Sequence, residues 1–138
     1  MRISMMHMGH RRFESGSGDS RVVMDAREGS GGLGRAPTPK KMVLYALAGC
    51  TGMDVAAILE RKRVPFDGLA VEVEAEETGT HPQVFKRIAV TYRVDARPEH
   101  LPAIERAVLL SEKTFCGVSA MLRKTAEMTR EIALGPLD

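Results

Sequence analysis

Pro39-Lys-Lys-Met-Val-Leu-Tyr-Ala-Leu-Ala-Gly-Cys-Thr-Gly-Met-Asp-Val-Ala-Ala-Ile-Leu-Glu-Arg-Lys-Arg63 contains the longest apolar run in this 138-residue chain. Thr38 can accept a hydrogen bond from an orphan backbone N–H, and Pro39 at the first helical position has no N–H to satisfy. Together they predict a helix start. Met42 to Met53 is apolar or small all the way round, where a surface helix would carry a polar stripe. Charge returns only in Glu60-Arg61-Lys62-Arg63, where three cations suit the negative end of the helix dipole before Pro65 ends the element. The expectation is a helix over 39–63, central and buried on most sides.

On the N-terminal side, residues 28–37 hold four glycines and Pro37 and read as a mobile loop. Before it, Arg21 to Ala26 is a short candidate strand, and Ser15-Gly-Ser-Gly-Asp-Ser20 is a turn because Gly and Asp tolerate positive φ. Residues 1–13 then pair with 21–26 in an N-terminal β-hairpin. On the C-terminal side, Leu69 to Glu76 alternates strictly, with Leu69, Val71, Val73 and Ala75 on one face and Glu72, Glu74 and Glu76 on the other. After a turn at 78–82, Val84 to Val94 alternates again and sets Arg87 and Arg93 against the acidic face, an arrangement expected of an antiparallel pair. Helices are predicted over 99–113 and 116–124, and a last strand over 125–134. The order is α+β without a parallel crossover pattern. Antiparallel sheets surround a central buried helix in one domain, 1–138, made of an N-terminal hairpin and Gly-rich loop (1–37) and the remainder (38–138).

Composition narrows the function. Hydrophobic residues make 43 % and charged residues 28 %, and 20 Lys and Arg against 18 Asp and Glu leave a formal net charge of +2 without long like-charge runs, so no nucleic-acid surface is indicated. The first ten residues lack the roughly 7–15 apolar positions of a secretion signal, and Met42 to Cys50 is about half a membrane span. A soluble, cytoplasmic protein without a membrane partner is expected. Six aromatic residues are few for covering a helix this apolar. A homodimer in which two such helices share one core is therefore expected.

Two cysteines are the candidates for chemistry. Cys50 lies mid-helix beside Gly49 and Gly52, and glycine in a helix costs about 0.5–1 kcal/mol relative to alanine, so the pair suggests close approach of a backbone or ligand. The plain alternative is a buried thiol. Cys116 stands where the third helix begins, and helix N-terminal N–H groups lower a thiol pKa. Asp54 follows Cys50 by four residues on the same helical face. Such a carboxylate opposes thiolate formation unless a cation intervenes, and a structural ion pair is its plainer role. His7 and His10, with nearby methionines, would face opposite sides of a strand and so could not share a metal ion. The glutamate row 72/74/76 reads as a solvated sheet face.

Pro39 to Val55, the strands around His81-Pro82-Gln-Val-Phe85, and Ala107-Val-Leu-Leu-Ser-Glu-Lys-Thr-Phe-Cys-Gly-Val118 resemble the OsmC/Ohr family, and Gly49-Cys50-Thr51 with Met53-Asp54-Val55 resembles its OsmC-like branch. The resemblance implies an intertwined α+β homodimer and thiol-dependent reduction of organic hydroperoxides. Cys50 matches the peroxidatic cysteine and Cys116 the resolving one. The reductant would be an external dithiol, with no cofactor and no metal. Met42, Leu47, Met53 and Phe115 could line a pocket for the alkyl part of the substrate. Two positions depart from the family pattern. Lys40 and Lys41 stand where peroxidase members place a glutamate, and the turn 15–20 lacks their arginine, leaving Arg21, Arg27 and Arg35 as candidate supporting cations. Lys40 would stand about 15 Å from Cys50 along a straight helix. These departures keep a second reading open, a non-peroxidatic member that binds an apolar or electrophilic small molecule at the dimer interface.

Overall fold

Helix α1 runs Pro39–Arg61 and begins as its sequence predicts: the Thr38 carbonyl accepts from the Met42 N–H at 3.0 Å and its hydroxyl from the Lys41 N–H at 3.4 Å. The structure is a computed structural model and describes residues 1–16 and 20–137, so the middle of the turn expected over 15–20 lies outside the described residues. The chain forms two compact units, Met1–Leu44 and Tyr45–Asp138, with α1 running from one into the other.

In the first unit, β1 (Met6–His7), β2 (Arg12–Ser15) and β3 (Val22–Asp25) form an antiparallel sheet in the order β1-β2-β3. The expected single strand in 1–13 is instead two, because Gly9 (φ 94°) and His10 (φ 48°) turn the chain through the left-handed region. The segment expected to be mobile is tied down. Buried Asp25 accepts the Leu33 N–H at 3.2 Å and the Arg35 N–H at 3.1 Å, and a 3-10 turn spans Glu28–Ser30. Gly32 approaches so closely that a Cβ there would lie 2.0 Å from the Ala26 carbonyl oxygen.

In the second unit, β4 (Gly68–Glu77), β5 (Phe85–Asp95) and β6 (Glu127–Leu134) form a sheet in the order β4-β5-β6. β4 and β5 pair antiparallel, with Glu76 opposite Arg87, and Arg93 bonds diagonally to Glu72 at 3.3 Å. β6 pairs parallel to β5, so the sheet is mixed rather than antiparallel throughout. Residues 96–126, carrying α2 (Leu101–Leu110), a π-helical turn (Ser111–Phe115) and α3 (Gly117–Leu122), are long enough for the crossover that parallel pairing requires.

The core forms where the inward face of β5, namely Ile88, Val90, Tyr92 and Val94, joins Leu47, Val55 and Leu59 of α1 and Ile104, Ala107 and Val108 of α2. Within one chain, α1 is buried along a single stripe, Leu47, Thr51, Val55 and Leu59, one residue per turn. Tyr45 and Met53, away from that stripe, remain 57 % and 70 % exposed. The expected burial on most sides is thus not reached within the second unit, whose one sheet supplies only one apolar face.

Candidate active site: two thiols and a carboxylate

Cys50 projects from the middle of α1 beside the buried stripe, half-buried, while Cys116 follows the π-helical turn and is buried. The wider turn closes with the Cys116 N–H donating to the Ser111 carbonyl at 2.8 Å, which carries Cys116 one residue further round than an α-turn would. Both thiols are free, and the two sulfurs and a carboxylate oxygen of Asp54 lie within 4.8 Å of one another. Sequence placed Cys50 and Asp54 on one helical face but could not bring Cys116 to them. The mixed sheet and its crossover do so.

Burial pushes the Cys116 thiol up to about 11, and its Cys50 and Asp54 neighbours act in the same direction, against the N–H of Ser119 donated to Sγ at 3.4 Å. The lowered pKa expected at a helix start is therefore not found. One amide at the end of a six-residue helix is outweighed by removal from water.

A buried hydroxyl chain ends at the same carboxylate. Ser111 Oγ donates to Asp54 Oδ2 at 3.0 Å, Thr51 Oγ1 lies 3.0 Å from Ser111 Oγ, and Tyr92 OH lies 2.7 Å from Thr51 Oγ1. An ionised carboxylate only accepts, and each hydroxyl has one proton. The chain therefore runs in one direction, Tyr92 to Thr51 to Ser111 to Asp54, and holds Asp54 beside the thiols. Burial raises the Tyr92 phenol to about 12, which keeps it a donor. Thr51, Tyr92 and Ser111 were missed as site residues. The signal was there in three polar groups set at core positions, since buried polar groups require partners.

The expected pocket residues differ in exposure. Leu47 is a core residue, Met53 and Phe115 are exposed, and Met42 is half-buried in the first unit. An apolar cavity of about 620 Å³ in the second unit is lined by other residues, among them Ile58, Leu59, Leu109 and Leu110, with Lys62, Arg106 and Lys113. Of the candidate cations, Arg21 pairs with Glu14, together with Arg12, and these guanidinium groups hold the Glu14 carboxyl below its ordinary range. Arg27 and Arg35 are exposed and, with Lys41, line a cleft of about 360 Å³ in the first unit. The His7 ring nitrogen Nε2 lies 2.8 Å from the carbonyl oxygen of His10, which sits in the turn rather than on a strand face.

The family profile described as OsmC-like protein matches residues 29–131. This chain belongs to the OsmC-like family. Protein YhfA of Escherichia coli K12 is 34 % identical over 116 residues, covering 84 % of this chain and 83 % of its own length. The fold is shared with an OsmC-like protein from Mycoplasma pneumoniae (TM-score 0.81, 14 % identity, 98 % of this chain and 96 % of that one). It is shared too with an organic hydroperoxide resistance protein OsmC from Legionella pneumophila (TM-score 0.72, 15 % identity, 96 % and 97 %). At these identities the structural likeness shows the fold alone. The OsmC-like membership accords with the motifs around Cys50 and Cys116, and the α+β fold class is the one expected, with the N-terminal hairpin enlarged to a three-stranded sheet.

Proposed function

We propose that this OsmC-like protein reduces organic hydroperoxides through the Cys50–Cys116 pair. The observation that carries the reading is the unequal access of two free thiols whose sulfurs lie within 4.8 Å: Cys50 is half-exposed and Cys116 buried. The Cys50 thiolate attacks the outer oxygen of the peroxide, the O–O bond breaks, and the alkoxide leaves and takes a proton to become an alcohol. Cys50 is then a sulfenic acid. The Cys116 sulfur displaces its hydroxyl as water, forming the disulfide, and an external dithiol returns both thiols by two exchange steps. A buried resolving thiol suits this order, since it is sheltered from the peroxide and meets only its neighbour. Met42, Leu47, Met53 and Phe115 are proposed to contact the alkyl group, and Arg21, Arg27 or Arg35 to support the thiolate, within a cytoplasmic homodimer.

The test is intact mass and turnover after treating the reduced protein with an organic hydroperoxide. The expected result is loss of two hydrogens, and turnover when a dithiol is supplied. Cys50→Ser abolishes both, and Cys116→Ser stops at a sulfenic acid that dimedone traps. Thiols that stay reduced under excess peroxide overturn the reading. Lys40 and Lys41, in place of the family's glutamate, favour the second reading, a non-peroxidatic member that binds an apolar or electrophilic small molecule. That reading predicts ligand binding without any mass change under peroxide.

A further inference from the structure

We propose that the reduced chain binds one zinc-class divalent cation through Cys50, Asp54 and Cys116. Their donor atoms, two sulfurs and a carboxylate oxygen, lie within 4.8 Å of one another. Two sulfurs each about 2.3 Å from a tetrahedrally coordinated zinc stand about 3.8 Å apart, so small side-chain rotations suffice. Cys50 and Asp54 are spaced i, i+4 on α1, the spacing that sets two ligands on one helical face. Cys116 comes from a separate element and adds the third ligand.

The surroundings already hold two of the ligands. Ser111 fixes Asp54 by donating to Oδ2, and the Ser119 N–H donates to the Cys116 sulfur. Such outer contacts orient ligands and tune their affinity. Three protein ligands leave a fourth position for water or a small ligand, and half-exposed Cys50 provides the way in.

Charge decides the cation. Two neutral thiols and one carboxylate carry −1. Binding breaks two S–H bonds, forms two metal–sulfur bonds and one metal–oxygen bond, and sends two protons to the buffer. The site with a dication is then again −1, so uptake adds no net charge beside a buried thiol. A monovalent soft ion would leave −2. Two thiolates favour zinc over magnesium or calcium, which prefer all-oxygen shells. A disulfide removes both thiolate ligands, so oxidation and metal binding exclude one another.

The inference depends on the reduced thiols and Asp54 and is independent of the peroxidase reading. The experiment titrates the reduced full chain with zinc in competition with a chromophoric chelator, with no peroxide present, and repeats it with Co2+. The expected result is one ion per chain, thiolate-to-cobalt charge-transfer absorption, and affinity at least about 10-fold weaker in Asp54→Asn. High-affinity uptake is lost in Cys116→Ser and in wild-type protein whose thiols are capped with N-ethylmaleimide. The capped sample keeps the test decisive if the serine variant does not fold. Equal affinity in wild type and Asp54→Asn, full uptake by the capped protein, or absence of charge-transfer absorption each overturns the site. Failure of peroxide turnover bears only on the proposed function.

Discussion

Thr51 sits where the hydrophobic stripe of α1 crosses the hydroxyl chain, and it is 1 % exposed. It links Tyr92 to Ser111 in that chain, so its loss takes the acceptor from the buried Tyr92 hydroxyl and a donor from Ser111, which keeps its bond to Asp54. Thr51→Val keeps the shape and removes the hydroxyl. The expected cost is about 1–3 kcal/mol, read from the urea midpoint, because unpaired buried polar groups lose their full solvation. An unchanged midpoint would show that water or rearrangement satisfies both partners. Tyr92 makes a prediction with pH. Its phenol ionises near 12 in the folded chain because burial penalises the anion, against about 10 when unfolded. Below pH 10 both states hold the proton and stability is fully present. Between pH 10 and 12 the unfolded chain releases a proton that the folded chain keeps, so stability falls as pH rises. The loss is on the order of 2 kcal/mol. Tyr92→Phe should lack that part of the decline, measured as the difference in urea midpoints at pH 9 and pH 11.

At the scale of elements, α1 is held against β4 by the absence of a side chain. A Cβ at Gly52 would stand 3.3 Å from Val71 Cγ2, whereas one at Gly49 meets nothing within 4 Å. The two glycines beside Cys50 thus have different reasons, and only Gly52 shows the close approach that the sequence suggested. Gly52→Val should therefore destabilise by about 1–3 kcal/mol through overpacking, seen as a lower thermal midpoint, and a rise would show that the helix can slide. The helix itself was legible because its start, its apolar run and its basic end all agree. The strands β4 and β5 were legible from strict alternation, which places Glu72, Glu74 and Glu76 outside. The direction of β6 was not, since alternation fixes faces and says nothing about which way a neighbour runs. The environment of Cys116 was hidden for a related reason. A helix start is a local signal, but the groups around Cys116 come from α1 and β5, Cys50, Asp54 and Tyr92 among them, far away in sequence. The Ser111–Asp54 contact spans 57 residues and depends on a π-helical turn that no local pattern announced.

At the scale of the molecule, the exposed face of α1 argues for a second copy of the chain. Tyr45 and Met53 lie off the buried stripe at 57 % and 70 % exposure, and Phe115, from the turn that leads into Cys116, is 54 % exposed. Exposed apolar side chains of this size, where they form a contiguous patch, mark interaction surfaces. A self-complementary face is also the simplest route to a two-fold dimer. The apolar run around α1 then has an explanation that the sheet of the second unit does not supply. The wild-type protein should sediment as a dimer at micromolar concentration. Met53→Lys places a charge on that face without touching the buried stripe, so it should leave the single chain folded while weakening dimerisation by at least about 100-fold. That loss corresponds to roughly 3 kcal/mol. Velocity sedimentation of both proteins, with circular dichroism to show that helix content is kept, decides the matter: a wild-type monomer, or a Met53→Lys dimer as tight as wild type, would move the interface elsewhere and leave the outer face of α1 unexplained.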